Sequence, residues 1–259
     1  YHAQGNLGMA ATYYQKAIDL NPGLTDALLP LGEIQLEQGN VGGATETMRK
    51  ATEAMPGSAK AHHLLGVCLE RSQQFDAALE EFTNAAGLDP NLAEAHHRRG
   101  KVLLEQKRDA ANALPSLQKA VELDGENPDF LSDYGAALFG SQQFDQAIEV
   151  LSKAASTADY SNPAGLYYLG AAYLNKQNYA DAVEPLQKAA EVFPTWGAPH
   201  IGLVWSYFGQ IQKGCPCGPE DEERVAKMQE HYQKAVDLGM SDPALKQRVD
   251  ALARGEKIK

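Results

Sequence analysis

Small and apolar side chains return along this chain every 34 or 35 residues, with helical spacing inside each return and a proline or glycine break between them. Gly32, Gly66, Gly100, Gly135 and Gly170 stand at intervals of 34, 34, 35 and 35 residues, each inside a stretch that otherwise reads as helix. A glycine in a helix interior costs roughly 1 kcal/mol against alanine, so five in register predict a place where a side chain would not fit. Alanines keep nearly the same period at Ala10, Ala44, Ala78, Ala113, Ala147 and Ala182, and the spacing predicts that small residue meets small residue across two paired helices. A second series follows at Ala17, Ala51, Ala85, Ala120, Ala154 and Ala189, with Tyr14, Met48, Phe82, Leu117, Leu151 and Leu186 between the two. Spacings of three, four and seven put all of these on one helix face. Pro22, Pro56, Pro90 and Pro194 come five residues after the second alanine and stop the helix, while Gly125 and Asp159 stand there in two units.

A unit of 34 residues carrying Leu, Gly, aromatic, Ala, aromatic, Ala and Pro at these offsets resembles the tetratricopeptide repeat, most clearly over 59–92, with Leu65, Gly66, Ala78, Phe82, Ala85 and Pro90. The resemblance implies an all-α fold, a right-handed α-α superhelix with a C-terminal capping helix. It divides the chain into a partial repeat over 1–24 and full repeats over 25–58, 59–92, 93–127, 128–162 and 163–196. A modified repeat follows over 197–240, with an inserted loop over 213–223, and then a capping helix over 242–254. The unbroken period predicts one solenoid over 1–259, in which each repeat buries its face against its neighbours.

Charge and hydropathy narrow the partners. With 23 Lys and Arg against 34 Asp and Glu, the net charge of −11 opposes a nucleic-acid surface, which needs a basic stripe. No apolar run reaches the roughly 18–20 residues that span a bilayer, so a membrane role is expected only through a lipid anchor on a removed leader.

Candidate chemistry is sparse. Cys68 takes a place held elsewhere by Ile34, Val102, Ala137 and Ala172, and is expected to be a packed small side chain. Cys215 and Cys217 form a Cys-Pro-Cys triplet in the insertion; they read as a turn with two thiols that pair in an oxidising compartment, or as half of a metal site lacking its second pair. His62-His63 and His96-His97 occupy the same positions of consecutive repeats, with His63 and His97 expected on the inner face; a third metal ligand is not evident. No nucleophile–base pair, phosphate loop or catalytic carboxylate pair emerges, so a non-enzymatic scaffold without cofactor or metal is expected.

The tetratricopeptide resemblance also implies that positions 2, 5, 9, 12 and 13 of each unit line a concave groove. The N-terminal half then presents a mixed polar wall that includes Glu33, Lys60, His63, Glu70, Arg71, His97 and Lys101. The C-terminal half presents Phe139, Tyr167, Leu174, Ile201, Trp205 and Phe208. These six either fill inter-repeat core or form a free apolar strip that takes a partner's amphipathic helix or extended segment. A tail-binding co-chaperone would need Lys and Asn where this chain has His63, Val67 and His97.

Finally, Leu131-Ser132-Asp133-Tyr134-Gly135, an elongated linker through Tyr160, and Leu169-Gly170 resemble the pilotin lipoproteins of bacterial type IV pili. That resemblance implies a protein partner, the pilus secretin subunit, and a place on the periplasmic face of the outer membrane. A cytosolic (cytoplasmic) adaptor in another complex is the alternative.

Overall fold

The computed structural model describes residues 6–157, 161–211 and 218–256. Among them every regular element is helical, and the helices gather into two compact units, 1–125 and 126–259. The boundary falls between Gly125 and Glu126, where glycine replaces the helix-stopping proline.

The first unit holds α1 (Leu7–Leu20), α2 (Leu28–Glu37, entered through a short 3-10 turn), α3 (Val41–Ala54), α4 (Ala59–Arg71), α5 (Phe75–Leu88), α6 (Ala93–Glu105) and α7 (Ala110–Leu123). Helices pair as α2 with α3, α4 with α5 and α6 with α7, and each pair packs on the next. The second unit repeats the arrangement with α8 (Pro128–Gly140), α9 (Phe144–Ala155), α10 (Pro163–Asn175), α11 (Val183–Val192), α12 (Gly197–Gln210) and α13 (Pro219–Asp237), closed by α14 (Pro243–Ala253).

Local chemistry explains these bounds. Asn127 and Asn162 accept backbone N–H bonds at the starts of α8 and α10, and each is followed by proline at the first helical position, where no donor is lost. Asp242 and Pro243 do the same for α14. The expected loop over 213–223 is shorter at its far end, because α13 already begins at Pro219. Proline followed by Glu220, Asp221 and Glu222 is a helix start whose acids complement the N-terminal dipole.

The small-meets-small expectation is corrected. The alanines other than half-buried Ala17 are buried, but the helical glycines face the large residue between them: a Cβ on Gly66 would stand 2.6 Å from Phe82 Cε1, and one on Gly100 would stand 2.5 Å from Leu117 Cγ. Gly32, Gly135 and Gly170 stand likewise against Met48, Leu151 and Leu186. A missing side chain on the first helix of each pair makes the hole that a large side chain of the second helix fills, and these large residues are at most 1% exposed.

The turn inside each pair is also periodic. Gly39, Gln73, Arg108, Gln142 and Gln177 all have positive φ, between 53° and 73°. At Gln73, Gln142 and Gln177 the next residue's N–H reaches back five residues, as from Gln74 to the Leu69 carbonyl at 2.9 Å, which closes the helix in a Schellman turn.

Candidate functional site

In the second unit, aromatic rings from three consecutive helix pairs touch in series. Phe144 of α9 meets Phe139 of α8 edge-on, with ring centroids 5.5 Å apart, and Phe139 meets Tyr168 of α10 at 5.4 Å. Tyr168 meets Tyr167 at 5.6 Å, and Tyr167 lies 4.7 Å from Trp196, the residue before α12. Trp196 in turn meets Phe193 at 6.5 Å. The rings from Phe144 to Trp196 are half-buried, whereas Phe193 is 51% exposed, so the run opens to solvent at that end. Burial raises the Tyr167 phenol's pKa, and Tyr168 adds to the rise.

The remaining predicted apolar residues sit differently. Leu174, Ile201, Trp205 and Phe208 are half-buried and pack, with Tyr167, against the core of Leu186, Leu203, Val204, Met228 and Leu245. The guanidinium carbon of Arg248, on α14, lies 5.7 Å from the Trp205 ring centroid and 5.8 Å from that of Phe208. The chain's own terminal helix therefore covers part of the strip expected to be free. Its outward end is Phe139, Tyr168, Tyr167 and Trp196 instead.

The polar residues of the first unit pair with one another. Lys60 bonds Glu33 at 2.7 Å and Arg98 approaches Glu70 at 3.3 Å, in each case between consecutive first helices, and Arg71 donates to the Leu36 carbonyl at 2.9 Å. Exposed pairs of this kind stabilise little, but they leave the wall locally near neutral. His97, expected on the inner face, is buried at 8% exposure, because its helix position turns it into the packed layer. His63 is half-buried, 5.8 Å from the Phe82 ring, and its Nδ1 has no hydrogen-bond partner among the described residues. Burial first, and the Arg98 charge second, lower the His63 pKa to about 4. His62 instead turns to α5, with Nδ1 2.6 Å from a Glu81 carboxylate oxygen. His96 Nε2 lies 3.1 Å from the Pro90 carbonyl, so His62, His63 and His96 turn to different neighbours.

The family described as the cilia and flagella-associated protein 70 C-terminal domain, a tetratricopeptide-repeat family, matches residues 1–195. The chain belongs to that family. No curated protein gives a match. Among solved structures, YrrB, described as a TPR protein with an unusual peptide-binding site, is 23% identical, with a TM-score of 0.63 over 73% of this chain and 96% of its own. Pseudomonas aeruginosa pilF is 22% identical, with a TM-score of 0.66 over 88% of this chain and 96% of its own. The APC/C hetero-tetramer Cut9-Hcn1 is 16% identical, with a TM-score of 0.65 over 97% of this chain and 47% of that one. At these identities the likeness is one of fold: an all-α tetratricopeptide architecture.

For this tetratricopeptide chain no enzymatic family is indicated. Cys68 is buried, and burial pushes its thiol up to about 11, which makes it inert. Cys215 and Cys217 lie outside the described residues. No described helix is long and apolar enough to cross a membrane. Sequence reasoning missed Tyr168 and Trp196, the two rings that link Phe139 and Tyr167 into one run. The signal available was the density of aromatics at Tyr167-Tyr168 and Phe193 to Trp196.

Proposed function

We propose that this chain is a non-enzymatic protein-interaction scaffold whose second unit receives an apolar helix or extended segment along Phe139, Tyr168, Tyr167 and Trp196. The observation that carries this reading is the contact of Tyr167 with Trp196 at 4.7 Å, continued by the exposed Phe193. Half-buried aromatics keep hydrophobic surface in water that a partner would remove, worth roughly 1.5–3 kcal/mol for each large side chain fully covered. The self-paired charges of the first unit leave it less to offer an apolar guest. YrrB, described with a peptide-binding site, supports peptide recognition on this fold.

The finer reading is that the partner is a type IV pilus secretin subunit and that the chain works as a pilotin at the periplasmic face of the outer membrane. Its support is the pilotin-like Leu131 to Leu138 segment and the extent of the likeness to pilF, 88% of this chain. The test is capture of detergent-solubilised secretin by immobilised chain. Wild type retains the multimer, while Tyr167→Ala with Trp196→Ala loses at least ten-fold of it with circular dichroism unchanged. Equal capture by the double variant overturns the aromatic site. No capture by wild type overturns the secretin assignment and favours an adaptor in a cytosolic complex.

A further inference from the structure

Away from the aromatic run, a recess of about 610 Å³ opens among α11, α12 and α13, lined by Gln187, Glu191, His200, His231 and Asp237 over an apolar floor that includes Leu203. His200 comes from α12 and is buried; His231 comes from α13 and is half-buried. Their Nδ1 atoms lie 3.1 Å apart, with the rings nearly parallel at 24° and centroids 5.3 Å apart. Tyr207 stacks on His231 at 6.0 Å and 11°, and the Gln187 amide donates to the Tyr207 hydroxyl at 3.3 Å. Both imidazoles are therefore held by packed elements on two helices that contact each other along their length.

Two neutral imidazoles at this distance can share only one proton between their facing nitrogens: one Nδ1 donates it and the other accepts. Burial lowers the pKa of both, to about 4 for His231, and Lys234 adds to the lowering at His200. Both rings are thus unprotonated as cations near neutral pH, the state that metal coordination requires. A cation about 2.0–2.1 Å from each nitrogen would subtend the 3.1 Å gap at roughly 100°, between the square and tetrahedral angles.

We infer that His200 and His231 form a two-histidine chelate for a divalent d-block cation of the zinc, nickel or copper class, ligating through both Nδ1 atoms. When the cation enters, the donor ring gives up its Nδ1 proton and takes one from solvent on Nε2, so each ring carries its single proton on Nε2 and the net proton count is unchanged. No group of three His, Cys, Asp or Glu able to hold a metal occurs among the described residues, so the remaining positions belong to water. Lys234 and Lys227 oppose entry only in part, because Lys234 is engaged by Glu230 at 2.6 Å and Lys227 by Glu223 at 2.7 Å, while Glu191 and Asp237 line the recess. A site with two protein ligands on rigid helices binds in the micromolar range rather than at the affinity of a closed structural site.

The test is calorimetric titration of tag-free protein with zinc chloride near pH 7.5, repeated with His200→Asn, His231→Gln and both together. The expected result is one site of micromolar Kd, weakened at least ten-fold by either change, with no net proton released by the two rings. Retention of the site in the double variant, or no binding by wild type, overturns the inference. Nitrogen NMR of the wild-type imidazoles decides it without any variant that must fold. Zinc should displace the Nδ1 resonances of His200 and His231 together. Displacement of His62, His63, His96 or His97 instead assigns the metal elsewhere and defeats the proposal.

Discussion

The Phe82 ring of α5 occupies the space that a side chain on Gly66 of α4 would need, since a Cβ there would stand 2.6 Å from Cε1. Phe82 is fully buried, so the ring has nowhere to retreat. Gly66→Ala gains helix propensity of about 1 kcal/mol and meets an overpacking cost of about 1–3 kcal/mol or more. The expected outcome is a net loss in urea unfolding. Combining it with Phe82→Leu should recover part of that loss, so the double-mutant cycle shows coupling of at least 0.5 kcal/mol. Strict additivity would show that the ring and the glycine are independent.

The turn residues offer a gain instead. Gln142 holds φ at 61°, a left-handed conformation that costs a non-glycine residue roughly 1–2 kcal/mol. Gln142→Gly removes that strain at an unfolded-state entropy cost of about 0.5–1 kcal/mol, so a gain of about 0.5–1 kcal/mol is expected. Gln73→Gly and Gln177→Gly should behave alike, and Gly39→Gln should lose a similar amount. Thermal melts of the four variants check the sign.

How legible this was in the sequence depends on the kind of feature. The paired helices could be read because a glycine and the bulky Met48, Phe82, Leu117, Leu151 or Leu186 recur at one period, and periodicity survives translation into packing. The left-handed turns could not, because glutamine has no preference for that conformation; the Schellman bonds impose it from outside the residue. Trp196 was hidden by its place in a linker, where a side chain's direction follows from the next helix rather than from any repeat. His200 and His231 are 31 residues apart and meet only because α12 and α13 pack along their lengths, which no local pattern announces.

Arg248 caps the end of the apolar strip, and its removal should be visible spectroscopically. The exposed guanidinium over Trp205 and Phe208 contributes about 0.5–1 kcal/mol as a cation–π contact. Arg248→Ala in a Trp196→Phe background leaves Trp205 as the sole indole. A shift of its emission to longer wavelength, with helicity unchanged, is expected. An unmoved spectrum would mean that the core beneath, not Arg248, sets the environment of the ring.

His63 makes the first unit sensitive to acid, and the sign follows from its burial. Its folded pKa is lowered to about 4, whereas in the unfolded chain it returns to about 6.5. Between those values the unfolded chain binds a proton that the folded chain refuses, so unfolding is favoured as pH falls. The contribution is complete above about pH 6.5, declines through the window, and is lost once pH drops past about 4. The steepest loss one such histidine can impose is about 1.4 kcal/mol per pH unit. Arg98 and Lys60 add to the lowering and Glu94 opposes it, so the window narrows if those two cations are removed. His63→Leu leaves no group to protonate and also removes the unpartnered Nδ1. Urea unfolding of the two proteins at pH 7.5 and 4.5 should therefore give a variant whose stability falls less across the interval than that of wild type. The difference between the two slopes isolates His63 from the carboxylates that titrate in both. Parallel slopes would place the His63 ring in water and remove burial as the cause.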